Sequence, residues 1–130
     1  EEYERIIRKT VPAGKKGIPC FDLILLGMGG DGHTASLFPG TDVLKEEKKL
    51  VAAYFVPVLG RHRMTFTFPL INAAQNILLL VTGEDKASAI AKLLHQDDQT
   101  DIPAAMLNPQ GHFLLVLDSA AARWAELSEP

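Results

Sequence analysis

Three short runs, Phe21–Leu26, Ile77–Val81 and Phe113–Leu117, are apolar on both of the faces a strand presents. A strand with one side in water alternates apolar and polar residues. Runs without that alternation suit strands covered on both sides, as in a parallel sheet. Each run is followed by a turn and then a helix signal. After Val81, Thr82 precedes Ala87, Ile90, Ala91 and Leu94 at helical spacing. After Leu117, Asp118 and Ser119 can cap a helix bearing Ala120, Trp124 and Leu127, with Trp124 as a packing residue.

The other segments fit the same scheme. Tyr3, Ile6 and Ile7 stand at i, i+3 and i+4, which predicts an amphipathic helix over the first ten residues. Val11 to Pro19 is a connector in which Lys15 and Lys16 read as solvated loop charges. Val51–Val56 is a fourth strand candidate. Met64 to Phe68 alternates strictly and predicts a half-covered strand, after which Pro69 opens a short helix through Ala74. Gln96–Asp101 is polar and reads as a surface loop. The order is α-β-loop-β-β-α-β-α-β-α, an α/β pattern, with no internal repeat or linker, so residues 1–130 read as a single α/β unit.

Composition bounds the function. The chain has 130 residues, a net charge of −3 and a pI near 5.8, without the basic face of a general nucleic-acid binder. An anionic ligand must therefore be held by a few placed cations. The longest apolar runs are about six residues, far short of the ~20 that span a bilayer. Cys20 is the one cysteine, so no internal disulfide can form, which fits a reducing, cytoplasmic setting. Nothing resembles a signal peptide. Cys20 itself lacks a reactive motif and reads as a small packed thiol.

Gly27-Met28-Gly29-Gly30-Asp31-Gly32-His33 follows the first buried strand, and Gly27, Gly29 and Gly32 match G-x-G-x-x-G. A dinucleotide site needs a long helix at this point and an acidic residue at the end of the next strand. Pro39 and Gly40 stop any helix after about two turns, and the next strand candidate ends Phe55-Val56-Pro57. What remains is a glycine-dense turn at the carboxyl end of a strand, where open α/β sheets place ligands and where free N–H groups can point at an anion. Asp31 and His33 stand two apart in it, and a carboxylate can orient a histidine that takes a proton near neutral pH. Taken alone, the triplet reads sooner as an Asp31 that caps a short helix beside a satisfied loop histidine.

The longer string Phe21-Asp22-Leu23-Ile24-Leu25-Leu26-Gly27-Met28-Gly29-Gly30-Asp31-Gly32-His33-Thr34-Ala35-Ser36-Leu37-Phe38-Pro39-Gly40 closely resembles the signature of 6-phosphogluconolactonases. Arg63 to Ala74 resembles the family's next block, and Val81-Thr82-Gly83-Glu84-Asp85-Lys86-Ala87 a third. Pro103-Ala104-Ala105-Met106-Leu107 and the closing strand fit less specifically, so the resemblance runs over nearly the whole chain in family order. Glucosamine-6-phosphate deaminases share the fold and the Asp-Gly-His core, but Thr34 to Pro39 has the lactonase form. Full-length members also carry an N-terminal half with a further glycine/serine phosphate loop, which this sequence lacks.

The resemblance implies a Rossmann-like, mostly parallel sheet flanked by helices, incomplete relative to the full family domain. It also implies hydrolysis of 6-phospho-D-glucono-1,5-lactone to 6-phosphogluconate, with His33 as general base and Asp31 orienting the site. Gly29, Gly30 and Gly32 would bind substrate through their N–H groups. Arg63 matches the family's arginine, and a guanidinium suits a phosphate; its neighbours Arg61 and His62 read as a solvated turn. Lys86, in the first turn of a helix after a strand end, is the second phosphate candidate. No metal or cofactor is expected: His33, His62, His95 and His112 show no paired ligand spacing, His95 and His112 read as structural, and a lactone is already an activated ester. The partner is a small sugar phosphate, with the missing N-terminal half required, because buried-type strands need helices on both faces and few are available here. Alternatives are deaminase/isomerase chemistry on an amino-sugar phosphate and a non-catalytic sugar-phosphate binding fragment.

Overall fold

The computed structural model describes residues 1–95 and 101–125. Along the chain lie α1 (Glu2–Thr10), β1 (Leu23–Leu26), β2 (Val51–Val56), β3 (Arg61–Phe66), α2 (Phe68–Ile71), β4 (Asn76–Val81), α3 (Ala87–Leu94) and β5 (His112–Leu117), with short 3-10 turns between several of them. β1, β4 and β5 form a parallel sheet in the order β1-β4-β5, with Leu26 beside Leu79 and Val81 beside Leu117. β2 and β3 form a separate antiparallel ribbon.

The three apolar runs are therefore parallel strands, but only one face of their sheet is covered. On that face Ile77, Leu79 and Val81 of β4 are buried, and the inner side of α3 packs there through Ala89, Ile90 and Leu93. α2 and the segment after it add Ile71 and Ala74 against Ile24 and Ile77. On the opposite face Leu23 and Leu25 are 55% and 64% exposed, Leu80 45% and Leu114 55%, because no described helix lies over it. The expected double cover is thus corrected: burial on both sides is written into the strand sequences but half of it is unmet within the described residues.

Three further expectations change. The alternating segment leaves the sheet at Phe66; Thr67 is extended, and Phe68 and Pro69 already belong to α2, because proline's fixed φ suits a first helical turn. The buried side of the alternation is the threonine side: Thr65 and Thr67 are buried while Met64 is 58% exposed. The hydroxyls are satisfied there, Thr67 Oγ1 donating to Lys49 O at 2.6 Å. Arg61 and His62 lie in β3, opposite Val56 and Phe55, and the turn falls earlier, ending at Gly60 with φ 60°. After β5 the chain runs through consecutive turns from Ser119 to Trp124, and Trp124 is 54% exposed, so it is not a core residue. Leu127 and most of Gln96–Asp101 lie outside the described residues.

α1 packs on the ribbon through Tyr3 and Ile7 and is hydrogen-bonded to it by Glu4. Glu4 Oε2 accepts from the N–H groups of Leu50 and Val51 at 3.0 and 3.3 Å, and its Oε1 accepts from Arg8. Partial burial raises the Glu4 carboxyl pKa, but the Leu50 N–H, the Arg8 guanidinium and the Val51 N–H together outweigh it, leaving it below the ordinary glutamate value. A folded-state pKa that is depressed contributes stability at pH above the unfolded value, and loses it as pH falls through the folded one. Glu4→Ala is expected to cost about 1–3 kcal/mol, since it strands a buried amide. Urea melts at neutral pH should show this deficit, and melts below pH 4 should show it shrinking; an equal deficit at both pH values contradicts the assignment.

Candidate active site

The glycine segment leaves β1 at Leu26 and forms no helix before Thr41. Thr34 and Leu37 instead form a small antiparallel bridge, with Ala35 at φ 51°. Thr34, fully buried, staples the loop by donating Oγ1–H to Gly27 O at 2.8 Å. The ribbon holds it from the other side: Ser36 N–H donates to Thr65 Oγ1 and Tyr54 O–H donates to Ser36 O.

With no helix to cap, the Asp31 carboxylate turns onto His33. Its Oδ1 accepts from the His33 backbone N–H at 3.0 Å and lies 2.6 Å from His33 Nδ1. Burial raises the Asp31 carboxyl pKa, but the His33 backbone N–H, ring and charge outweigh it and leave the pKa below the ordinary aspartate value. An ionised carboxylate only accepts, so the proton of neutral His33 belongs on Nδ1, and Nε2 keeps its lone pair. The ring is fixed from below by Phe38, stacked at 4.2 Å and 22°, with Phe38 itself buried. Gly29 makes this possible: a Cβ there would come within 2.2 Å of His33 Cε1 and Nδ1.

His33 and Gly29 line a cleft of about 530 Å³ at the carboxyl end of the sheet, together with Leu25, Met28, Ala35 and Lys86. Lys86 reaches it from the turn after β4, its Nζ 3.0 Å from Asp85 Oδ2. The structure thus gathers Asp31, His33, Gly29 and Lys86. Gly30 packs over the backbone of Asp85, and Gly32, at φ 83°, lies against Ile102. The N–H groups of Gly29 and Gly32 donate to His33 O and Gly29 O, so the expectation that all three glycines offer amides to an anion is corrected; Gly30 N–H has no partner among the described residues. Arg63 is exposed and does not line the cleft, although the β2–β3 register puts it on the face of Thr65 and Tyr54, which grip Ser36. Sequence reasoning gave no role to Phe38, Thr34 or Tyr54. Phe38 and Thr34 lie inside the glycine-loop string, but no local rule anticipates an aromatic ring beneath the imidazole.

Among the described residues no three His, Cys, Asp or Glu side chains converge as a metal ligand set, and no helix is long and apolar enough to cross a membrane. His95 and His112 are exposed, His112 Nδ1 lying 3.1 Å from Asn76 Oδ1. Cys20 is free and half-buried, its Sγ accepting from Gln75 Nε2 at 3.4 Å.

Residues 1–116 match the family described as glucosamine-6-phosphate isomerases/6-phosphogluconolactonase. The chain belongs to that family. It is 42% identical over 125 residues to 6-phosphogluconolactonase of Rattus norvegicus, covering 95% of this chain and 48% of the relative. It is 38% identical to 6-phosphogluconolactonase of Nostoc sp., covering 98% and 52%. Among solved structures it resembles 6-phosphogluconolactonase from Trypanosoma brucei, at 30% identity and a TM-score of 0.84, over 94% of this chain and 51% of that one. A monomeric glucosamine-6-phosphate deaminase gives 26% identity and 0.68, over 95% and 52%. The chain spans about half the length of the relatives it matches.

Proposed function

We propose that this chain forms the catalytic part of a cytoplasmic 6-phosphogluconolactonase, which hydrolyses 6-phospho-D-glucono-1,5-lactone to 6-phosphogluconate. The observation that carries the proposal is the Asp31–His33 pair, whose histidine lines the same cleft as Lys86. His33 Nε2 takes a proton from water as its oxygen attacks the lactone carbonyl. The tetrahedral intermediate collapses with cleavage of the bond to the ring oxygen, which recovers the proton from His33. Asp31 holds the imidazole in the required tautomer and stabilises the cation formed in between. Gly30 N–H is the glycine-loop donor proposed for the developing oxyanion, since Gly29 and Gly32 use theirs internally. Names of relatives support the reaction class: several are 6-phosphogluconolactonases.

Lys86 and Arg63 are the proposed phosphate ligands. Lys86→Ala and Arg63→Ala should each raise KM for the phosphorylated lactone about ten- to a hundredfold, the scale of one lost hydrogen bond to a charge at ~1.5–3 kcal/mol. Hydrolysis of the unphosphorylated lactone should be insensitive. Equal losses on both substrates mean that these residues serve the fold or the lactone ring instead.

The site is also proposed to need residues beyond Glu1–Pro130, corresponding to the half of the relatives this chain does not span. Leu25 belongs both to the cleft lining and to the uncovered sheet face, so whatever covers that face also walls the cleft. Glu1–Pro130 expressed alone should associate through its apolar face and barely exceed spontaneous lactone hydrolysis. Joining the preceding segment in the same chain should restore both monomeric behaviour and rate. A monomeric 130-residue chain with full activity contradicts this requirement.

A further inference from the structure

We infer that Asp118 is a positioning residue for the Lys86 turn: its single carboxylate latches the loop after β4 to the segment after β5, and so sets where the Lys86 ammonium enters the cleft. The inference rests on the phosphate-binding role proposed for Lys86. Its basis is a contact between the two loops that the parallel register makes possible. Val81 is paired with Leu117, so the residues leaving both strands stand side by side. Asp118 Oδ1 and Oδ2 both lie 3.1 Å from the Gly83 N–H, which they accept, and Oδ1 also accepts from Ala121 N–H at 2.7 Å.

Gly83 is the point at which the Lys86 turn has least restraint of its own. It sits at φ 100° and ψ 146°, where side chains are rarely tolerated, and a Cβ there would stand 2.7 Å from Asp85 Oδ1. A glycine in that region has many alternative conformations, so an external contact must select this one. From Gly83 the turn closes immediately, Lys86 N–H donating to Gly83 O at 3.1 Å, and the lysine side chain then enters the cleft. A displacement of Gly83 is therefore passed to Lys86 within three residues. A second tether between the two loops is the Glu84–Arg123 ion pair, whose side chains are both 61% exposed, and an exposed pair contributes little.

The test compares Asp118→Ala, Asp118→Asn and Arg123→Ala in the catalytically competent form of the protein. Asp118→Ala should raise KM for the phosphorylated lactone roughly tenfold, the effect of a modest misplacement of one charged ligand, with kcat within about twofold. Asp118→Asn should recover part of this, because its one carbonyl oxygen can still accept from Gly83 or Ala121. Arg123→Ala should leave KM unchanged. Amide exchange at Lys86 should quicken in Asp118→Ala while that of the α3 interior does not. Unchanged KM in Asp118→Ala, equal losses on the unphosphorylated lactone, or unchanged Lys86 exchange overturns the latch. If Lys86→Ala itself leaves KM unchanged, it is the phosphate role of Lys86 that fails, and exchange at Lys86 still decides whether Asp118 holds the turn.

Discussion

His33→Ala should reduce enzymatic lactone hydrolysis by ~10²–10⁴-fold, the usual contribution of a positioned general base. Stability should change little, because the imidazole is part-exposed and its main partner, Asp31, can be solvated once the ring is gone. The pair explains the size of the effect. Asp31 Oδ1 claims Nδ1 at 2.6 Å and the buried Phe38 ring supports one face of the imidazole, so Nε2 is left as the basic atom in a fixed place. Nothing else lining the cleft can take over: Lys86 is its other ionisable side chain among the described residues. Lactones open unaided, so the spontaneous rate must be subtracted in a continuous assay at neutral pH. Near-normal activity in the variant removes His33 from the mechanism.

Gly29→Ala should be nearly as damaging, although it adds only a methyl group. The new Cβ would lie 2.2 Å from two atoms of the His33 ring and 2.8 Å from Asp31 Oδ1, far inside contact distance. The backbone at Gly29 is itself tied, its N–H to His33 O and its carbonyl to Gly32 N–H, so the histidine side chain must yield. A displacement of about 1 Å at a reacting group costs on the order of 10²-fold in rate. Activity should fall by that factor while the protein stays folded, and the His33 ring should lose its stacking on Phe38, visible in the ring's chemical shifts. Gly40→Ala serves as a control, since a Cβ there meets nothing within 4 Å; its φ of 70° makes it strained, so it should lower stability without touching the rate. Wild-type activity in Gly29→Ala contradicts the tight packing on which the base assignment depends.

The parts of this fold legible in sequence are those set by short-range rules. Apolar runs at Ile77–Val81 and Phe113–Leu117 became β4 and β5, the spacing of Ala87, Ile90 and Leu94 became α3, and proline placed the start of α2. The Asp31–His33 contact is also local, two residues apart within a glycine turn. What escaped depends on distance along the chain or on what lies outside it. The latch from Asp118 to Gly83 joins residues 35 apart, and no pattern in either segment announces it. Thr65 and Thr67 look like the wet side of a strand, yet are buried because Lys49 O and Ser36 N–H meet their hydroxyls. The uncovered leucines of β1, β4 and β5 give the pattern of double burial because a strand's composition records the faces it presents, not the residues that cover them. The alternative in which Asp31 caps a short helix fails because the Thr34–Gly27 and Tyr54–Ser36 bonds hold Thr34 to Leu37 as a bridged turn, with Ala35 in the left-handed region.

Lactone hydrolysis at His33 is proposed here in a family whose solved members include a deaminase as well as lactonases. A decisive test incubates the chain, joined to the half of the family domain that it does not span, separately with 6-phospho-D-glucono-1,5-lactone and with glucosamine 6-phosphate, following acid release from the first and ammonia release from the second. Lactone opening well above the spontaneous rate, abolished by His33→Ala, with no ammonia released, is the predicted result. Ammonia release from glucosamine 6-phosphate, with the lactone opening no faster than it does in buffer, would contradict it.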